Sequence, residues 1–193
     1  SVIYGHKQSL QMMFLQKAAF AVAPATDGTF TPLLATTGAA NTETGLKRMS
    51  FKDVLKLKKR FDNAEIPADG RILVLSAQHQ EDLEAEDVDR FNRVMDKGVL
   101  CGFKLYFLAD KRLPRYHKTT GVKYGFATAD DANISHASVA FHKMEAARAQ
   151  GDIDLFLREK DPELRGDMLG MQQRALTVSM RNKGIAAIYS PAN

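Results

Sequence analysis

What this chain of 193 residues lacks narrows its function before any motif is read. It holds one cysteine, Cys101, which excludes an internal disulfide and any multi-cysteine zinc site. That residue sits in the apolar run Val99-Leu100-Cys101-Gly102-Phe103, where a small buried hydrophobe is expected rather than a nucleophile. No apolar run approaches the roughly 20 residues that a membrane-spanning helix needs, so no membrane partner is expected. The start, Ser1-Val2-Ile3-Tyr4-Gly5-His6, lacks the basic-then-apolar pattern of a signal peptide. Charge of one sign is also scarce: 27 basic against 23 acidic residues give a net +4. The positives are spread out except in one patch, Lys47 to Arg60, so a long duplex-binding stripe is not expected.

Catalytic signatures are missing as well. The glycines of Gly38 to Lys47 are misplaced for a phosphate-cradling loop, and no Lys-Ser or Lys-Thr pair follows them. No G-x-G-x-x-G supports a dinucleotide site, and no G-x-S-x-G marks a nucleophilic serine. His136 and His142 are six residues apart across an expected strand, too far for joint ligation, while His79 and His117 stand alone on expected loops. The acidic run Glu81, Asp82, Glu84, Glu86, Asp87 and Asp89 lacks the calcium-loop pattern and reads as a solvated helix face. No catalytic, cofactor-binding or metal-binding residue is therefore assigned, no cofactor is expected, and the chain reads as a non-enzyme.

What is present is an ordinary globular composition, 45% hydrophobic and 26% charged, with strands and helices mixed without a regular βαβ beat. That mixture argues for an α+β fold. A helix is expected over Gln8 to Ala21, then a long, nearly uncharged Thr/Ala/Gly/Pro segment from Pro24 to Thr44 that gains order only against another subunit. Met49 to Phe61 is the best-signed helix. Ser50 is its N-cap, Asp53 completes a capping box, Met49 staples onto Val54, and Lys56, Lys58, Lys59 and Arg60 suit its negative end. Pro67, Asp69-Gly70 and the apolar Ile72 to Leu75 predict a turn feeding a buried strand. One helix is expected over Glu81 to Lys97, with Leu83, Val88, Phe91 and Met95 inward and Gly98 as its cap. Strands follow at Leu100 to Leu108, with a bulge at Gly102, and at Tyr124 to Ala127 and Ser138 to Phe141. A helix over His142 to Gln150, a strand over Asp152 to Leu157 and a helical Met168 to Arg174 come next. Ala175 to Met180 and Gly184 to Tyr189 read as two strands joined across Arg181-Asn182-Lys183.

The order of these pieces carries more than any one of them. A basic helix, Ile66-Pro67-Ala68-Asp69-Gly70-Arg71-Ile72-Leu73-Val74-Leu75, a Gly-Phe strand, Ala140-Phe141-His142-Lys143, and a final strand ending in Ala187-Ile188-Tyr189 resemble, over Met49 to Tyr189, the major capsid proteins of tailed bacteriophages. The resemblance implies the Hong Kong 97 type capsid fold: an N-terminal helix and extended arm over 1–45, a peripheral lobe over 46–67 and 166–193, and an axial lobe over 68–165. Within it, Ser50 to Asp62 would be the spine helix. The extended hairpin loop usual in that family is not evident in this sequence. The resemblance further implies a structural virion protein whose copies self-assemble as pentamers and hexamers into an icosahedral phage head around double-stranded DNA. Portal, scaffold or decoration proteins are the other implied partners. Its place would be the virion capsid, and the host cytoplasm during assembly. The runner-up is a small nucleic-acid-binding module using Lys47 to Arg60, against which stands the lack of interleaved aromatics.

Overall fold

The computed structural model describes residues 2–18, 33–125, 131–161, 166–181 and 183–193. A six-stranded mixed sheet is its centre, in the order β1-β10-β7-β2-β4-β3. These strands are β1 (Leu33–Ala35), β2 (Arg71–Ser76), β3 (Val99–Leu100), β4 (Phe103–Leu108), β7 (Ser138–His142) and β10 (Ile185–Tyr189). A short pair, β5 (Arg115–His117) with β6 (Ile134–His136), and a long hairpin, β8 (Ala146–Asp161) with β9 (Gly166–Ser179), stand apart from it. The helices are α1 (Val2–Ala18), α2 (Phe51–Asn63), α3 (Ala77–Glu86) and α4 (Val88–Lys97). The α+β class expected from the sequence is the class observed.

Side chains alternate across the sheet, as the two-residue period of a strand requires. Leu73, Leu75, Phe103, Leu105, Ala140, Ala186 and Ile188 face α2, α3 and α4 and form one core with Phe51, Val54, Leu57, Phe61, Leu83 and Phe91. Val74, Val139, Phe141, Ile185 and Ala187 face the other way, toward Leu15 of α1 and Leu113 and Tyr116 around β5. The helix α2 and the strand β10, assigned by the resemblance to one lobe, share this first core with β2, β4 and β7, assigned to the other.

Several expectations are corrected. Glu81 to Lys97 is two helices, because Asp87 leaves helical geometry and caps α4 by accepting from the Arg90 amide at 2.9 Å. Leu83 and Phe91 point inward, but Val88 and Met95 are exposed. Gly98 caps α4 in the left-handed region as expected. Gly102 is not a bulge: Cys101 (φ 51°) and Gly102 (φ 86°) form a two-residue turn that reverses β3 into β4. Cys101 is thus half-buried at a turn, packed against the rim of the first core, and burial pushes its thiol up, away from thiolate reactivity. Tyr124 and Gly125 belong to no strand, while Ala127 lies outside the described residues.

The larger corrections concern the second half. No helix follows His142, and Met168 to Arg174 is not helical; both stretches belong to the β8–β9 hairpin. A long hairpin therefore stands where helices were expected. β9 and β10 are not partners, since β10 lies between β1 and β7. Part of the Pro24 to Thr44 segment lies outside the described residues, but its end is ordered by its own chain. Leu33 to Ala35 pair in parallel with Ala187 to Tyr189, and Ala40 bridges Lys47. Among the described residues, no helix is long and apolar enough to cross a membrane.

Candidate functional site

The two segments that carry the sequence resemblance meet in space. β2 and β7 are antiparallel neighbours, with Arg71 opposite His142 and Ile72 opposite Phe141. Gly70 (φ 88°) turns tightly enough that a Cβ there would collide with the Lys143 side chain. Lys143 donates to the Asp69 carboxylate at 3.0 Å and lowers its pKa, and the His142 Nε2 lies 2.7 Å from the Asp69 carbonyl. Arg71 is buried, donates to Asp62 at 2.7 Å and to the carbonyls of Pro67 and Ile66, and lies over the rings of Phe61 and Phe103. It ties the end of α2 to the start of β2. The Gly-Arg pair is thus a joint between the two elements.

A second buried polar cluster centres on His79, which the sequence placed on a loop and the structure places in α3. Its Nδ1 lies 2.7 Å from the Ser138 hydroxyl and its Nε2 lies 2.9 Å from the Ser190 hydroxyl. Ser138 accepts from the Ser76 amide at 3.0 Å, and the Ser190 amide donates to Ser135. The ring therefore clamps α3 to β7 and to the end of β10. With His79, Ser138 and Ser190 all inaccessible, this serine–histidine pair has no route to a substrate. Burial pushes the His79 pKa down to about 4, opposed by the charge of Asp53.

Charge is arranged along α2. At its N-terminus the Asp53 carboxylate accepts from the Ser50 amide at 3.2 Å and from the Thr37 hydroxyl at 2.6 Å. Burial would raise the Asp53 pKa, but these donors and Lys56 outweigh it and the net shift is downward. The acidic run is not merely a solvated face. Glu86 accepts from the Phe51 amide at 2.8 Å, an orphan donor of the first turn of α2, and Asp82 accepts at 3.0 Å from the Met49 amide just ahead of the N-cap. Burial raises the Asp82 pKa despite the Met49 bond. Glu81, Glu84, Asp87 and Asp89 remain exposed, as do Lys52, Lys56, Lys58 and Lys59 on α2. His136 and His142 lie on different strands, and among the described residues no three metal-ligating side chains converge.

The surface with the clearest need of a partner is the β8–β9 hairpin. Its two strands pair with each other, and α1 rests on β9. Leu155, Phe156 and Leu157 are 66%, 57% and 63% exposed, and Ile153, Leu176 and Val178 are also open. Cross-strand pairing puts Ile153, Leu155 and Leu157 on one face and Asp154 and Phe156 on the other, so apolar groups are bare on both sides. A two-stranded ribbon of this kind is marginal alone, and an exposed apolar stretch with free edges is a contact surface. The sequence signal was there in Ile153-Asp154-Leu155-Phe156-Leu157, read as a strand but not as part of a two-stranded ribbon.

No family model and no curated protein sequence matches the chain. Solved structures do, and they define a fold class, that of phage capsid chains. A chain of the mature capsid of bacteriophage PhiM1 superposes with a TM-score of 0.60 at 15% identity, over 96% of this chain and 61% of that one. The capsid of the cyanophage P-SCSP1u gives 0.57 at 15% identity, over 97% and 62%. A chain from mycobacterium phage Che8 gives 0.52 at 14%, over 95% and 57%. This chain therefore spans about three fifths of the length of the solved chains it matches.

Proposed function

We propose that this chain is a major capsid protein of the Hong Kong 97 type, a structural and non-enzymatic subunit of a tailed-phage or prophage head. The observation that carries the reading is the shared fold, since nearly the whole chain superposes on capsid chains despite 14–15% identity. The bare β8–β9 hairpin supports it, because a subunit designed to be covered by copies of itself leaves such surfaces open. Pentamers and hexamers closing around packaged double-stranded DNA, with portal, scaffold or decoration proteins, are the assembly this reading implies. The virion shell is then its destination and the host cytoplasm its place of assembly. In the shell, residues 68–165 would point toward the symmetry axis and residues 46–67 and 166–193 would lie outward, the N-terminal arm over 1–45 reaching beyond them. The exposed face of α2 offers lysines but no aromatic platform for bases, which disfavours a nucleic-acid-binding module.

Light scattering and negative-stain micrographs of the purified chain over rising concentration test the proposal. Rings, sheets or closed particles are expected. A strictly monomeric species at high concentration and physiological salt would overturn it.

A further inference from the structure

The central sheet is covered unevenly. One face is closed by α2, α3 and α4, but on the other α1 covers mainly the β7 side, where Phe14 meets Phe141 with ring centres 5.5 Å apart. Over β2 and β4 a groove remains, walled by Phe14, Ile72, Tyr106, Phe107 and Leu108. Tyr106 is 46% exposed at its rim, beneath the Lys104 ammonium 5.6 Å from the ring centre.

We propose that the apolar stretch in the hairpin of one copy, Ile153 to Leu157, fills this groove on a second copy. The inference rests on the shell-subunit reading and specifies one of its contacts. Among the described residues, stretch and groove are both bare apolar surfaces, and they cannot cover each other within one chain. Arg148, at the hairpin's base, lines the groove, whereas Leu157 lies nine residues further along β8 (148 to 157), about 30 Å away at ~3.3 Å per residue. Charge agrees with the pairing: Asp152 and Asp154 are exposed along the stretch, and Lys104 and Arg148 flank the groove. Ile153, Leu155 and Leu157, on one face of the ribbon, leave on the order of 300 Å² of apolar surface, within the range of the largest patch on an ordinary monomer. With the ribbon's backbone edges, the contact moves toward the ~800 Å² per partner of a stable interface. Because stretch and groove are different surfaces, the contact is head-to-tail. It therefore leads to rings or continuing arrays rather than a closed pair.

The experiment uses full-length chain in a Cys101→Ser background, with Leu157→Cys in one preparation and Tyr106→Cys in another. A short bis-maleimide added to the mixture should give a covalent hairpin-to-groove dimer, identified by peptide mapping, that neither preparation gives alone. A Leu155→Asp, Leu157→Asp variant should assemble only at tenfold or higher concentration with its circular dichroism unchanged. Particles that form without any hairpin-to-groove link, or links that are mainly hairpin-to-hairpin, would overturn this contact and leave the shell reading standing. A wild-type chain that never self-associates would remove both.

Discussion

Single residues decide how this fold tolerates acid. His79 is held neutral between Ser138 and Ser190, with its pKa at about 4 against an ordinary 6.5. Below the ordinary value the unfolded chain takes up a proton that the folded chain refuses. His79 therefore costs nothing above pH 6.5, and stability is lost progressively as pH falls from there to about 4. The loss reaches up to about 3 kcal/mol at ~1.4 kcal/mol per pH unit. Urea titrations across that window should show the slope in the wild type and a flatter one in His79→Gln; equal slopes would mean that the ring is not the sensor. Arg71 is the other single-residue dependence. A lysine there keeps the charge but loses the fork that reaches Asp62, Pro67 and Ile66 together. Arg71→Lys should cost about 2–4 kcal/mol, as breaking buried charge-assisted bonds does. An unchanged denaturation midpoint would show that the joint at β2 is held by packing alone.

Among the elements, those whose signals are local were legible. Ser50 with Asp53, Gly98, and the apolar Ile72 to Leu75 each fix their own neighbourhood, and the cap, the stop and the strand stand where those residues put them. The failures arose where tertiary context overrides local pattern. Ala146, Ala147 and Ala149 favour a helix, yet pairing with Ser179, Val178 and Leu176 holds them extended. A register shift between Gln150 and Ile153 also breaks the two-residue alternation that would have disclosed a strand. His79 was missed for a related reason: a polar residue in a polar stretch gives no hint that two distant serines will enclose it. The ribbon's own prediction is kinetic. Limited trypsin digestion should cut free subunits at exposed Arg158 and spare that bond in particles, read by mass spectrometry. Equal cleavage in both states would show that the ribbon stays bare in the assembly.

At the scale of the whole molecule, the opposite charges of α2 and of the α3–α4 corner are partly spent within the chain. Glu86 and Asp82 serve the start of α2, and Lys56 pairs with Asp53 at 3.2 Å. What remains exposed and unspent, Lys58 and Lys59 on one side and Glu81 and Glu84 on the other, would set the register between copies of a shell subunit. Reversing Lys58 and Lys59 to Glu should slow particle formation, and adding Glu81→Lys and Glu84→Lys should restore part of it, because coupled charges are not additive. If the first reversal instead leaves light scattering unchanged and abolishes salt-sensitive DNA binding, the patch serves nucleic acid. Part of the order of segments was readable in the sequence because those segments carry local signals of turn, cap or strand. The pairing of strands was not, because nothing local says which strands become neighbours.

The place of β10 has one more consequence. It lies between β1 and β7, in parallel with β1, and residues 191–193 bond back to Lys47, Lys118 and Gly45. A ribosome thus delivers every other strand of the sheet before the one that joins β1 to the rest. Contacts so distant in sequence form slowly. Until Ile185 to Tyr189 emerge, β1 has no sheet neighbour and Ala140 lacks half of its cover. Until then the β7 edge is unpaired and apolar core is uncovered, the condition in which one growing chain is most prone to pair with another.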